Sequence, residues 1–357
     1  MTPQERVIAA LSFQPPDRVP LFDTYWEEFV ARWRRQKGLP ESADIAAHYG
    51  VDIAIAIGDE TPWPSRAEVL REDASGRVER EGWGRIVRTV PGAHFFDRLE
   101  PAIPERVDPD RLVFDPPDLE SRYQGFAENV ARWKRQFAVF AKTGGPFLRT
   151  CFMRGEENFL MDVAEDPAYA CALAGRVADH LIAIGLEELR RGDLGDTGLW
   201  IYDDMASNAA PMMSPRSWEQ VLLPHYRRMV RAFKQQGGAR FVVLHCDGNL
   251  MPILDMLVDA GIDGLNPVER KAGMDPRAIR ERFGKRLAIV GGICNAQVLP
   301  RGDPAEIEAH LRDLLALARE GGLVAGSHSI GDDISVAAYD HFVQTLRRLG
   351  DYPLRSV

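Results

Sequence analysis

Eight short, β-rich apolar runs, separated by long amphipathic segments, constrain this chain more than any other feature of its sequence. They are VPLFD (19–23), VDIAIAIGD (51–59), PFLRTC (146–151), LWIYDD (199–204), FVVLH (241–245), IDGLNP (262–267), LAIVGG (ending at Gly292) and GLVAGSH (322–328). Runs without polar alternation suit strands buried on both faces, as in a parallel sheet covered by helices. The intervening segments carry helix signals: Ser214-Pro215 opens one and Gly237-Gly238 closes it, while Asp303-Pro304 and Gly321-Gly322 bracket the last crossover. The alternation predicts a (β/α)8 TIM barrel of the α/β class, with residues 1–357 forming a single domain. Residues 60–118, with TPWP, EGWGRIVRTVPG and VFDPPD, fit a helix poorly and are expected to form a hairpin-like insertion after strand two.

Charge narrows the partners. The net charge is -9, with acidic and basic residues interspersed, so no face is built to neutralise a phosphate backbone and no nucleic-acid partner is expected. The sequence shows no signal-peptide core and no uncharged stretch near the length of a membrane span, so a cytoplasmic location without a membrane partner is expected. The four cysteines, Cys151, Cys171, Cys246 and Cys294, are too scattered for a disulfide framework or a CxxC site and read as free thiols.

In a parallel barrel, side chains just past the strand ends face a common cavity. Here those positions are polar: Asp23, Asp59-Glu60, Asp203-Asp204, His245 with Asp247, Asn266 and Glu269, Cys294 and His328. Each has a plain structural reading, the carboxylates as turn caps, His245 as a hydrogen-bonded core histidine and Cys294 as a small hydrophobe. Their convergence favours a catalytic mouth. The sharpest local signal is LHCDGN (244–249), an imidazole and a carboxylate two residues apart followed by a glycine. His245, Asp247 and His328 are residue types that suit Zn²⁺ or another divalent ion; without metal they suit acid-base chemistry. No nucleotide cofactor is expected.

MTPQERVIAALSFQPPDRVPLFD, SPRSWEQVLLPHYRRMVRAFKQQGGARFVVLHCDGN and GGLVAGSHSIGDDIS resemble the opening, central and C-terminal signatures of the uroporphyrinogen decarboxylase-like superfamily. The resemblance implies a barrel with its cleft at the strand C-termini, a homodimer, and one of two activities: cofactor-free decarboxylation of porphyrinogens, or methyl transfer between corrinoid proteins and thiols or methyl donors, often with zinc. The decarboxylase branch carries an arginine-rich segment after strand one; this chain has FDTYWEEF, whose Asp23, Glu27 and Glu28 would repel a polyanion. Asp59 and His328 match its aspartate and C-terminal histidine, Cys151 or Phe152 stands at its tyrosine, and Asp204 replaces its serine. The zinc methyltransferase branch carries H-x-C-G, which here keeps His245 and Gly248 but has Asp247 for the cysteine.

Two enzymatic expectations follow. The first is methyl transfer from a small methylated donor, with a metal on His245, Asp247 and His328, assistance from Asp204 or Glu269, and a separate corrinoid protein as partner. The second is a metal-free decarboxylase using Asp59 and His328, with Arg149 holding the substrate carboxylate. Asp23, Phe152, Asp203 and Asn266 complete the expected substrate-binding set. A catalytically inert binding barrel is disfavoured by so many ionisable groups at strand ends.

Overall fold

The computed structural model describes residues 1–92 and 96–354. Eleven strands are described, in chain order β1 (Ile53–Ala56), β2 (Glu68–Asp73), β3 (Gly76–Arg80), β4 (Ile86–Thr89), β5 (Asp97–Glu100), β6 (Ala138–Gly144), β7 (Gly198–Tyr202), β8 (Phe241–His245), β9 (Gly264–Asn266), β10 (Ala288–Gly292) and β11 (Leu323–Gly326). β1, β6, β7, β8, β9, β10 and β11 pair in that order, all parallel, in one seven-stranded sheet. The segment 19–23 supplies the remaining stave. Phe22 N donates to Ala325 O at 2.9 Å and Ala325 N to Pro20 O at 2.8 Å, while on the other side Asp52 N donates to Leu21 O at 2.7 Å. These bonds join β11 to β1 through the segment and make the fold a TIM-type α/β barrel. Gly326 permits the closure, since a Cβ there would lie 1.8 Å from Phe22 O.

One strand is not where the sequence suggests. PFLRTC belongs to the helix Pro146–Arg154, and the third stave is AVFAKTG, residues 138–144. Pro146 at the first helical position and Gly145 before it are helix-start signals that a run of apolar residues concealed. Between β1 and β6 the chain builds β2, β3, β4 and β5 into an antiparallel sheet of their own, which covers the stretch 60–118 only in part. The helix Pro167–Gly192 is long and apolar enough to cross a membrane by length and composition, and over half of that apolar window is buried inside the fold.

The barrel interior is packed by aromatic rings at its mid-height: Phe22 and Trp200 lie 4.9 Å apart between centroids, and Phe140 is 6.3 Å from Trp200. Below them Asp52, fully buried, closes the barrel floor. Its carboxylate accepts from Arg6 Nη1 (2.7 Å), Arg18 Nη1 and Nη2 (2.8 and 2.9 Å) and Leu21 N (2.8 Å). At the upper end Asp203 is equally buried and accepts from Phe147 N, Leu148 N and Tyr226 Oη, tying β7 to the helices Pro146–Arg154 and Leu223–Gln235. Burial raises its pKa to about 6 against these hydrogen bonds.

Two outcomes are expected. Asp52→Ala leaves two arginines without their shared acceptor in the interior, and urea unfolding is expected to show a loss of about 3–5 kcal/mol. Asp203 binds its proton more tightly folded than unfolded, so the folded chain loses stability as pH rises from about 4 to about 6. The advantage of the native chain over Asp203→Asn, read from urea midpoints, is therefore expected to narrow across that interval; a gap that widens would refute the assignment.

Candidate functional site

Parallel register brings three side chains to one level at the mouth: Tyr202 pairs with His245, and His245 with Asn266. The Tyr202 and His245 rings stack at 4.3 Å between centroids, 19° apart. Asn266 Nδ2 donates to Val290 O at 3.1 Å, which turns Oδ1 toward His245 Nδ1 at 2.6 Å. His245 Nδ1 therefore carries the proton and Nε2 keeps its lone pair facing the mouth. Burial holds the pKa of His245 below the ordinary histidine value, although Asn266 and Asp204 pull the other way, so the ring is neutral at pH 7.

Asp247 follows β8 on a turn fixed by Gly248, whose φ is +90° and where a Cβ would lie 2.5 Å from Ser207 O. Asp204 Oδ1 accepts from Asp247 N at 3.1 Å and holds the same turn. His328 enters from the end of β11, its Nε2 lying 3.5 Å from Asp247 Oδ2, while His245 Nε2 lies 3.9 Å from Asp247 Oδ1. One ligand atom from each of His245, Asp247 and His328 falls within 4.8 Å of the others. Asp247 Oδ1 is buried and has no hydrogen-bond partner. Burial pushes the pKa of Asp247 up, against the attraction of His328. Two imidazoles and a carboxylate with an orphaned buried oxygen form a donor set that fits a divalent ion. Glu269 lies close enough for its charge to act on His245, and Lys271 Nζ is 3.0 Å from its Oε1.

The other expected site residues are placed differently. Asp23 turns into the framework: its Oδ1 accepts from Ser327 N and Oγ, both at 2.7 Å, and its Oδ2 from Tyr339 Oη at 3.0 Å. It positions the residue before His328, and burial raises its pKa to about 6. Asp203 is spent on the helices, as described above. Asp59 caps its own turn, accepting from Thr61 N at 2.9 Å and Thr61 Oγ1 at 2.6 Å. Asn266 orients His245 rather than facing a ligand. Arg149 lies on a helix, not at a strand end, and forms an ion pair with buried Glu60. Phe152 packs edge-on to Trp83, with the guanidinium of Arg85 4.0 Å above its ring, away from the histidines. Sequence reading missed Tyr202 and Lys142, whose ammonium lies 5.3 Å from the Tyr202 ring centre. The only available signal for Tyr202 was its position at a strand end, immediately before Asp203-Asp204.

The chain is similar over almost its full length to a methyltransferase from Methanosarcina mazei, at 18% identity, with 98% of this chain and 99% of that chain covered and a TM-score of 0.69. It also aligns with a B12-independent methionine synthase from Shewanella sp. W3-18-1, at 12% identity over 95% of this chain and 94% of that chain, with a TM-score of 0.45 that carries no argument. The first likeness bears on the fold alone. No curated protein matches the chain. The family described as uroporphyrinogen decarboxylase (URO-D) matches residues 80–349, which is more than half of the sequence and includes every residue of the His245, Asp247 and His328 cluster, and the chain belongs to that family.

Proposed function

We propose that this chain moves a methyl group from a small methylated donor to a corrinoid protein or a thiol, with His245, Asp247 and His328 holding a divalent ion, Zn²⁺ first among the candidates. The observation that carries the reading is the convergence of three ligand atoms within 4.8 Å around an Asp247 oxygen that no protein donor satisfies. A bound Zn²⁺ acts as a Lewis acid that polarises the donor heteroatom. The chain's own residues supply the rest. Asn266 keeps Nε2 of His245 unprotonated and directed, as an outer partner of a metal-bound histidine does. Asp204 holds the Asp247 turn, and Asp204 and Glu269 are the carboxylates that assist at the mouth.

The alternative, a metal-free decarboxylase of a porphyrinogen-like or smaller acid, assigns proton transfer to Asp59 and His328. Asp59 is engaged with Thr61, which weighs against it. The reading also takes the corrinoid as a cofactor carried by a separate protein, a homodimer as the working form, and a cytoplasmic setting.

Metal analysis of the purified chain by plasma mass spectrometry is expected to give close to one zinc per chain, lost in His245→Ala and Asp247→Ala. A Zn²⁺-free native chain that takes up none on incubation would end this reading. Asn266→Ala keeps all three ligands and is expected to bind Zn²⁺ about 10–100-fold more weakly, read by competition with a chromophoric chelator.

A further inference from the structure

The barrel wall is not continuous over its full height. Above Leu21 the closing segment follows β11: Phe22 N bonds to Ala325 O, and Tyr25 and Ile330 form a second parallel bridge. Toward β1, the one backbone bond among the described residues is Asp52 N to Leu21 O. Beyond it a cavity of about 540 Å³ opens between the closing segment and β1, with Phe22 from the segment, Ile55 and Ile57 from β1 and just past it, and Tyr202 from the end of β7 on its lining. That volume lies within the range of about 300–1,000 Å³ common to small-molecule sites. Ile57 is 59% exposed, so the cavity meets solvent on that side.

The polar groups on the lining say what fits, because all but one are already engaged. Its charged side chains are Asp23, Asp44 and Lys142. Asp23 accepts from Ser327 N and Oγ and from Tyr339 Oη, and Asp44 caps the helix Ile45–Tyr49 by accepting from Ala46 N at 2.8 Å and Ala47 N at 3.2 Å. Lys142 Nζ lies 3.3 Å from Glu60 Oε1. An anionic ligand would meet two carboxylates and a cation that is already paired, and a cationic one would meet the Lys142 ammonium. Leaving water is costly for a charge that gains no partner, so the lining favours an uncharged ligand. Two of the hydroxyls are also taken: Thr24 Oγ1 donates to His328 O at 3.3 Å, and Tyr25 Oη lies 2.7 Å from Tyr339 Oη. Tyr202 is the exception. Burial pushes its phenol pKa up and, among the described residues, no hydrogen bond offsets that burial, so the hydroxyl stays protonated with a donor to offer. The ring of Tyr202 stacks on His245 at 4.3 Å, which sets this end of the cavity beside the histidine cluster.

We propose that this cavity binds an uncharged, flat, largely apolar molecule, its body against Phe22, Ile55 and Ile57 and one oxygen or nitrogen atom accepting from the Tyr202 hydroxyl beside His245. Any part the ligand plays in a reaction rests on the reading of the His245 cluster as the reaction centre; the binding itself needs no metal, so it is tested on chelator-treated chain, where failure of the metal reading has no effect. Calorimetric titration of the full chain with 2-naphthalenemethanol, beside its charged analogues 2-naphthoate and 2-naphthylmethylammonium, separates the cases. One saturable site is expected for the alcohol, with each charged analogue about tenfold weaker or more. Ile57→Arg, a change at an exposed position, is expected to weaken the alcohol about tenfold, and Tyr202→Phe about fivefold through the loss of one hydrogen bond. Met161→Arg, at a 55% exposed apolar residue away from the cavity, is expected to leave binding unchanged. Absence of saturable binding, a charged analogue that binds as tightly as the alcohol, full affinity in both Ile57→Arg and Tyr202→Phe, or equal loss in Met161→Arg overturns the assignment. Melting temperatures identify any variant that does not fold, and the contrast among the three compounds on the native chain then decides.

Discussion

Closure at Asp52 is the constraint on which the rest of the structure depends. Seven strands of a parallel sheet become a barrel only when the segment 19–23 is held against both β11 and β1, and on the β1 side a single backbone bond joins them among the described residues. The carboxylate of Asp52 reinforces that weak seam by gathering Arg6, Arg18 and the amide of Leu21. Paired and hydrogen-bonded this fully, a buried charge is tolerated; stripped of one partner it is not. The clasp sits at the bottom of the seam, and above it no backbone bond among the described residues joins the segment to β1. The same geometry that closes the barrel floor leaves a cavity above it, lined in part by Phe22, Ile55 and Tyr202.

Carboxylates at the strand ends divide by what donates to them. Asp23 and Asp203 are buried, each receives three hydrogen bonds from the framework, and burial lifts both pKa values to about 6. Neither has an oxygen to offer a ligand. Asp247 is less buried, yet its Oδ1 has no hydrogen-bond donor and lies 3.9 Å from His245 Nε2, while its Oδ2 lies 3.5 Å from His328 Nε2. The less buried aspartate is thus the one with an oxygen open to a ligand, and the deeper aspartates hold fixed the elements that present it.

The sequence disclosed the barrel because buried parallel strands leave long apolar runs, and it disclosed LHCDGN because that segment's three functional features are local. It misplaced the third strand because PFLRTC is as apolar as a strand, while AVFAKTG hides a lysine in its middle. That lysine, Lys142, pairs with Glu60 and sits beside the Tyr202 ring. Arg149 and Phe152 therefore lie on the helix Pro146–Arg154 rather than at a strand end. Asn266 was visible as a strand-end residue, but its partner is 21 positions away, and only register places the two side by side. Asp59 differs again: its cap on Thr61 is local, and the functional reading competed with a turn that any aspartate can make.

Family membership leaves the activity open, because the two chemistries associated with such barrels make opposite demands on the mouth. A polyanionic substrate needs cations at the first strand end, and this chain has Asp23 there, with Glu27 and Glu28 opening the next helix. Lys142 and Arg149 lie instead deeper, both paired with Glu60. Position 247 bears on the second chemistry: a carboxylate among two imidazoles would make a harder metal site than one built on thiolate, better suited to polarising an oxygen or nitrogen on a substrate than to activating a thiol.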